Sequence, residues 1–157
     1  MKLPESVIDH LLETWPLARL ASVGADGRPH VVPIVFAQVR GYLWSPVDGK
    51  RKQPGELARV RNARANPAVS LLLDHYSDEW SRLWWVRIDA TARVVCPPVP
   101  DRDPDAAPAV AALRHKYLQY QRVEVLRDPP TLLALRPTDI CSWCAGPEAV
   151  PVVRPAG

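Results

Sequence analysis

Proline interrupts this sequence often, marking a chain of many turns and mostly short elements: eighteen prolines are spread through 157 residues. Each fixes its own φ, donates no backbone N–H and biases the residue before it away from helix. Such a chain favours short elements joined by many turns. Its uninterrupted apolar runs are strand-length, as in Leu71-Leu72-Leu73, so no stretch is long enough to cross a bilayer as a helix. Apolar residues are 47% of the total, enough to bury a core without disulfide staples. The length fits one compact domain, placed at residues 1–145, with a proline-rich tail at 146–157.

Charge narrows the classes of partner. Twenty basic against seventeen acidic residues leave a net charge of +3, too small to argue for nucleic acid or a membrane surface. It suits one local cationic pocket for an anionic ligand. At the amino terminus Glu5, Asp9, His10 and Glu13 break up any signal-peptide-like apolar region. Cys96, Cys141 and Cys144 are odd in number and lack framework spacing, so reduced thiols and a cytoplasmic location are expected.

Val7, Ile8, Leu11, Leu12 and Trp15 recur at helical spacing between Pro4 and Pro16. Strands are expected over Leu17–Val23, His30–Val39 and Tyr42–Ser45, joined at Gly24-Ala25-Asp26-Gly27 and Arg40-Gly41 into a three-stranded meander. A polar loop spans Pro46–Gly55, followed by a helix over Glu56–Ala65 with Leu57 and Val60 inward and its arginines outward. Further strands are expected at Ala68–Tyr76 and Leu83–Val95. An acidic connector at Pro97–Pro108 leads to a helix over Ala109–Tyr120, and Thr131–Leu135 with Asp139–Trp143 closes the sheet. The fold class is mostly β: about six antiparallel strands in a Greek-key split barrel with a few short flanking helices, since closure removes exposed edges.

Two stretches carry candidate chemistry. The strand containing Pro33, Ile34, Val35 and Phe36 has a proline in its middle, which belongs at an edge or bulge. It either protects an edge or leaves backbone groups free for a planar heterocycle. The loop from Ser45 through Val47 to Lys50-Arg51-Lys52 sets three adjacent cations, a hydroxyl and a glycine before a helix start, a composition suited to phosphate. By itself the same composition also makes a solvated turn; its position between that strand and an arginine-bearing helix favours the phosphate. Arg59, Arg61 and Arg64 continue the cationic surface. His75, Asp78, Glu79, Trp80, Arg82, Trp84 and Trp85 gather around one turn, for packing or for stacking on a ligand ring. Asp74 and His75 are neighbours on a strand and point to opposite faces, so they are assigned no acid–base role. Cys141-Ser142-Trp143-Cys144 lacks the second ligand pair a structural zinc needs, and no metal is expected.

In order and spacing, Leu17–Val23, Asp26–Pro33, Val47–Lys50, Leu57–Asn62, Asn66–Ser70, Asp74–Tyr76 and Leu83–Arg87 resemble the pyridoxamine 5′-phosphate oxidase-like, FMN-binding split-barrel superfamily. The likeness is greatest to its short branch of coenzyme F420 (deazaflavin)-dependent oxidoreductases. The resemblance implies that Pro33 to Phe36 run beside the cofactor ring and that Ser45 and Val47 contact its chain. It further implies that Lys50 and Lys52, with Arg51 between them, bind its phosphate, and that Trp84 and Trp85 lie near the ring or a dimer partner. It implies a homodimer with cofactor sites at the interface, acting on a small molecule. The vitamin-gripping, arginine-containing carboxy terminus of true pyridoxamine phosphate oxidases has no clear equivalent in Cys141 to Gly157, which argues against that reaction. The resulting expectation is hydride transfer from F420 to an unsaturated small molecule. FMN-dependent oxidoreduction and a non-catalytic cofactor carrier are the alternatives. No catalytic acid or base is assigned.

Overall fold

The computed structural model describes residues 1–48 and 55–149. Its order is α1 (Glu5–Thr14), β1 (Ala18–Val23), β2 (Pro29–Ile34), β3 (Ala37–Val39), β4 (Tyr42–Pro46), α2 (Ala58–Ala65), β5 (Ala68–His75), β6 (Trp84–Val95), α3 (Ala106–Lys116) and β7 (Leu132–Cys144). All strand pairings are antiparallel, in one sheet of order β2-β1-β5-β6-β7-β4-β3.

The β6–β7 pair is the spine. Residues Trp84 to Thr91 of β6 carry β5, then β1 and β2, while Leu132 to Leu135 of β7 carry β4 and β3. The β4 attachment lies wholly beyond a bulge that the β5 attachment crosses near its end: Asp89 pairs with Asp139 and Ala90 with Pro137, leaving Thr138 extra. Pro137 cannot donate to a ladder, so the bulge falls where it is tolerated. Thr138 ties it down by donating its hydroxyl to the Asp89 carbonyl at 3.0 Å. This is the architecture of a split barrel, open between β2 and β3.

Seven strands form where about six were expected, because the run from His30 to Val39 breaks at Val35-Phe36. The expected meander does not form either. β2 and β3 sit at opposite edges of the sheet, and the break is where the chain crosses between them. The Arg40-Gly41 turn does form, with φ of +52° and +78° respectively. Both central residues are then left-handed, which matches the twist of a tight hairpin.

The helices also shift. α3 starts at Ala106, not Ala109, because the Asp103 carboxylate accepts the N–H groups of Asp105 and Ala106 at 3.0 and 2.8 Å. It ends at Lys116, and residues Leu118–Gln121 form a separate 3₁₀ turn. The two closing runs fuse into one strand, β7. The larger core fills the barrel around Leu20, Phe36, Leu43, Leu71, Leu73 and Ile88, all under 2% exposed. A second core packs α3 through Ala109, Val110 and Leu113 onto Trp44, Leu132 and Ala134. Ala149, in a 3₁₀ turn just past the expected domain end, is buried in the barrel core.

Candidate functional site

The break between β2 and β3 needs partners for the Phe36 backbone. They come from Tyr117, the residue that ends α3. The Phe36 N–H donates to the Tyr117 hydroxyl at 3.0 Å. That hydroxyl in turn lies 2.9 Å from the Phe36 carbonyl oxygen and 3.0 Å from that of Pro16. One phenol thus substitutes for a missing strand neighbour. Burial raises its pKa to about 12, an effect partly opposed by the bond with the Phe36 backbone. Phe36 itself is fully buried, so its ring and both its backbone groups are engaged within the protein. Val35, half-buried and outside both ladders, and Pro33, exposed on an edge strand, remain at the surface of this stretch.

Register brings this stretch to β4. Ala37 pairs with Trp44, so one step further Phe36 stands opposite Ser45. Ser45 and Val47 are 1% and 4% exposed. The backbone of Val47 is held on both sides, its N–H by the Thr131 carbonyl and its carbonyl by the Arg127 N–H, both at 3.0 Å. Among the described residues the Ser45 Oγ has no hydrogen-bond partner.

Lys50, Arg51 and Lys52 lie outside the described residues; the ends of their loop do not. Tyr120 donates to Asp48 at 3.1 Å, and Arg59 donates to the Pro46 carbonyl at 3.2 Å. Arg127 donates to the Gly55 carbonyl at 2.7 Å. The chain is therefore tethered by an arginine on each side of the loop. Arg59 was expected on the outer face of its helix but is buried, at 8% exposure, with its Nε unpartnered among the described residues. Burial lowers its pKa most; Asp48 and Tyr120 counter that, while Arg127 adds repulsion. Tyr120 is raised, by burial first and then by Asp48. Arg61 is exposed and bonds the Glu56 carbonyl, and Arg64 pairs with the Glu56 carboxylate at 2.6 Å. The three arginines consequently do not form one continuous stripe.

Beside the tethers lies a cavity of about 590 Å³ lined by Val47, Leu57, Arg64, Cys96, Arg127 and Thr131, among others. Arg127 and the Thr131 hydroxyl could meet a phosphorylated organic group there, though Glu56, which holds Arg64, and Asp128 also line it. No group of three metal-ligating side chains occurs among the described residues. Sequence reasoning missed Tyr117, Tyr120 and Arg127. Only the apolar spacing of the two tyrosines was visible in the sequence, and it reads equally well as plain core packing.

The two tryptophans lie elsewhere. Trp84 is buried, edge-on to Trp15 at 4.7 Å between ring centroids and stacked on His75 at 6.3 Å. Trp85 lines a separate groove of about 460 Å³ with Leu72, Asp74 and Trp143. Asp74 there is ion-paired with Arg19. Trp84 pairs with Cys144, whereas Pro46 pairs with Leu132. Twelve residues of β7, about 40 Å of strand contour, separate these rungs. Within one chain the tryptophans therefore pair at the opposite end of β7 from Pro46. Cys141 is partly exposed and Cys144 buried; three residues apart on one strand, they face opposite ways.

Fold and site together define a split-barrel protein whose chain is held by Arg59 and Tyr120 at Pro46 and Asp48 and by Arg127 at Gly55. Residues 5–144 match the pyridoxamine 5′-phosphate oxidase family model, and the chain belongs to that family. No curated protein matches the sequence. Among solved structures it resembles a Mesorhizobium loti FAD-binding protein, at 20% identity and a TM-score of 0.65, covering 90% of this chain and 95% of the other. It also resembles the Vibrio cholerae haem storage protein HutZ, at 20% identity and a TM-score of 0.64, with 92% and 95% covered. An F420 reductase shares 23% identity at a TM-score of 0.59, with 88% and 98% covered. The chain contains no helix, among its described residues, long and apolar enough to cross a membrane.

Proposed function

We propose that this protein is an F420-dependent oxidoreductase that binds the phosphorylated deazaflavin at the β4–α2 loop and reduces an unsaturated small molecule. The observation that carries the reading is the double tether: Arg59 and Tyr120 at Pro46–Asp48, and Arg127 at Gly55, hold a loop whose own sequence is Lys50-Arg51-Lys52. Confining several cations in one place costs repulsion, and an anion among them offsets it. Lys50 and Lys52 would hold the phosphate, with Arg51 between them; Ser45 and Val47 would border the cofactor chain, and Pro33 to Val35 would flank the ring. When bound, the deazaflavin supplies two-electron hydride chemistry. The protein's part is to bind, orient and exclude water, with Tyr117 fixing the strand break that borders the ring pocket. The membership of the family and the F420 reductase among its structural neighbours support this reading.

FMN in the same site is the second reading, supported by the family and the FAD-binding neighbour. Haem storage has less support, because His75 is already stacked on Trp84 and edge-on to Trp15. We further propose a homodimer, in which Trp84 and Trp85 of one copy lie near the cofactor of the other.

Titration with F420 and with FMN, followed by turnover against a panel of enones, tests the function. Tight FMN binding without F420 affinity would overturn the deazaflavin assignment, and binding without turnover would favour a carrier. A Lys50→Ala/Lys52→Ala double variant should lose ~2–4 kcal/mol of affinity for the phosphorylated cofactor. Unchanged affinity would remove the phosphate assignment.

A further inference from the structure

A second cavity, of about 530 Å³, shares no lining residue with the one beside Arg127 and lies between the end of α1, the edge strand β3 and the end of α3. Its lining includes Glu13, Thr14, Gln38, Ala112, His115 and Lys116. Lys116 is the unusual member. Its Nζ donates to the Leu12 carbonyl at 2.9 Å and stands 3.8 Å over the centre of the Phe36 ring. The amine is thus drawn towards the protein interior by a helix-end carbonyl and an aromatic face, on the wall of a cavity large enough for a small organic molecule.

We propose that the Lys116 amine and this cavity form a binding site for small uncharged aldehydes and ketones, held as a reversible imine. The neutral amine's lone pair attacks the carbonyl carbon, forming the C–N bond. The carbonyl oxygen leaves as water with both amine protons, giving R–N=CHR′ and H₂O with no oxidant or reductant required. Glu13, across the cavity on α1, His115, next to Lys116 on α3, and Tyr117, whose ring centre is 5.6 Å from the amine, are titratable groups beside it; Tyr117 stays a neutral phenol near neutral pH, and Gln38 on β3 brings no charge. One acid, one base and the carbonyl ends of two helices give little net attraction for an anion, which favours an uncharged ligand. Burial also lowers the Lys116 pKa to about 8, with Glu13 opposing the shift, so at pH 7 roughly a tenth of the amine is free, far more than for an ordinary lysine. The site is independent of the cofactor reading.

The full-length protein contains four lysines, Lys2, Lys50, Lys52 and Lys116, which serve as internal competitors. Benzaldehyde with cyanoborohydride at pH 7.5, followed by peptide mapping, should label Lys116 at least about 10-fold faster than exposed Lys2. The labelling rate should have its midpoint near pH 8. Lys116→Arg keeps the cation but should lose the adduct on that peptide only. Ala112→Trp should narrow the cavity, slowing benzaldehyde labelling of Lys116 at least about 10-fold while leaving formaldehyde labelling of the same amine unchanged. Equal labelling of all four lysines would overturn the proposal. So would a benzaldehyde-to-formaldehyde ratio unaffected by Ala112→Trp.

Discussion

Tyr117→Phe removes one oxygen atom and almost no volume, so it isolates the hydroxyl that closes the break between β2 and β3. In the wild type this atom accepts the Phe36 N–H at 3.0 Å and lies within bonding distance of two carbonyl oxygens. Phe36 is fully buried and Tyr117 is 6% exposed, so water cannot readily take over. Leaving the N–H unsatisfied costs about 1–3 kcal/mol, and losing the better of the two carbonyl contacts adds about 0.5–1.5. The expected loss is therefore about 2–4 kcal/mol, or a Tm drop of roughly 5–12 °C for a domain of this size. Urea melts give the energy, and hydrogen exchange identifies the atom, because the Phe36 amide should lose protection ahead of its neighbours on β2.

The same variant has a pH signature. The folded phenol titrates near pH 12 and the unfolded one near its ordinary 10. Above pH 10 the unfolded chain releases this proton while the folded one keeps it, so stability contributed by Tyr117 is full below pH 10 and lost as pH approaches 12. The gap between wild type and Tyr117→Phe should therefore shrink across that window by about 2–3 kcal/mol. A destabilisation under 0.5 kcal/mol at pH 7, with Phe36 still protected, would refute the role assigned to the hydroxyl.

Lys116→Met should stabilise the protein at pH 7 by about 1–2 kcal/mol, the cost of burying the ammonium less the lost Leu12 bond. Because the folded amine titrates near 8, that cost is complete below pH 8 and relieved towards pH 10.5. Urea melts at the two ends of this range should show the advantage disappearing; an equal advantage at both would contradict the buried-charge argument. Arg40→Asn should raise stability by about 0.5–1 kcal/mol, since Asn accepts the positive φ of the β3–β4 turn more readily than Arg. Thermal melts showing a loss would mean that the Arg40 bond to the Pro104 carbonyl outweighs backbone preference. Arg59→Met should weaken binding of FMN or F420 by at least about tenfold while changing riboflavin affinity little, because it loosens the base of the phosphate loop. Equal losses for riboflavin and FMN in fluorescence titrations would deny that link.

What the sequence revealed follows from the range of each signal. Turn chemistry and period-two patterning act over a few residues, so the Arg40-Gly41 hairpin, β5 and β6 were legible within one or two residues. The crossing at Val35-Phe36 was not, because it depends on a tyrosine 81 residues further on. The α3 boundary shifted because an Asp103 side chain can cap a helix inside what composition alone marks as a connector. Arg59 looked like any arginine on an exposed helix face. It is buried only because Pro46 and Asp48, brought to the end of β4 by pairing with β7, present a carbonyl and a carboxylate beneath it.

The separation of the tryptophans from Pro46, where the chain leaves β4, leads to a prediction about assembly. If Trp85 of one copy serves the loop of the other, each site in a homodimer draws on two chains. Trp85→Ala and Lys50→Ala/Lys52→Ala variants would each be impaired at both sites. In a mixed dimer, one site would combine both defects and the other would carry none. Random exchange makes about half the dimers mixed, so about one quarter of all sites should regain wild-type affinity for the cofactor. Tight binding restored to that extent after unfolding and refolding the two variants together, with a dimer mass by light scattering, is the expected outcome. If loop and tryptophan served the same site within one chain, no arrangement of the two variants would yield an intact site and no tight binding would return. The 12-residue stretch of β7 between their rungs makes the first result the expected one.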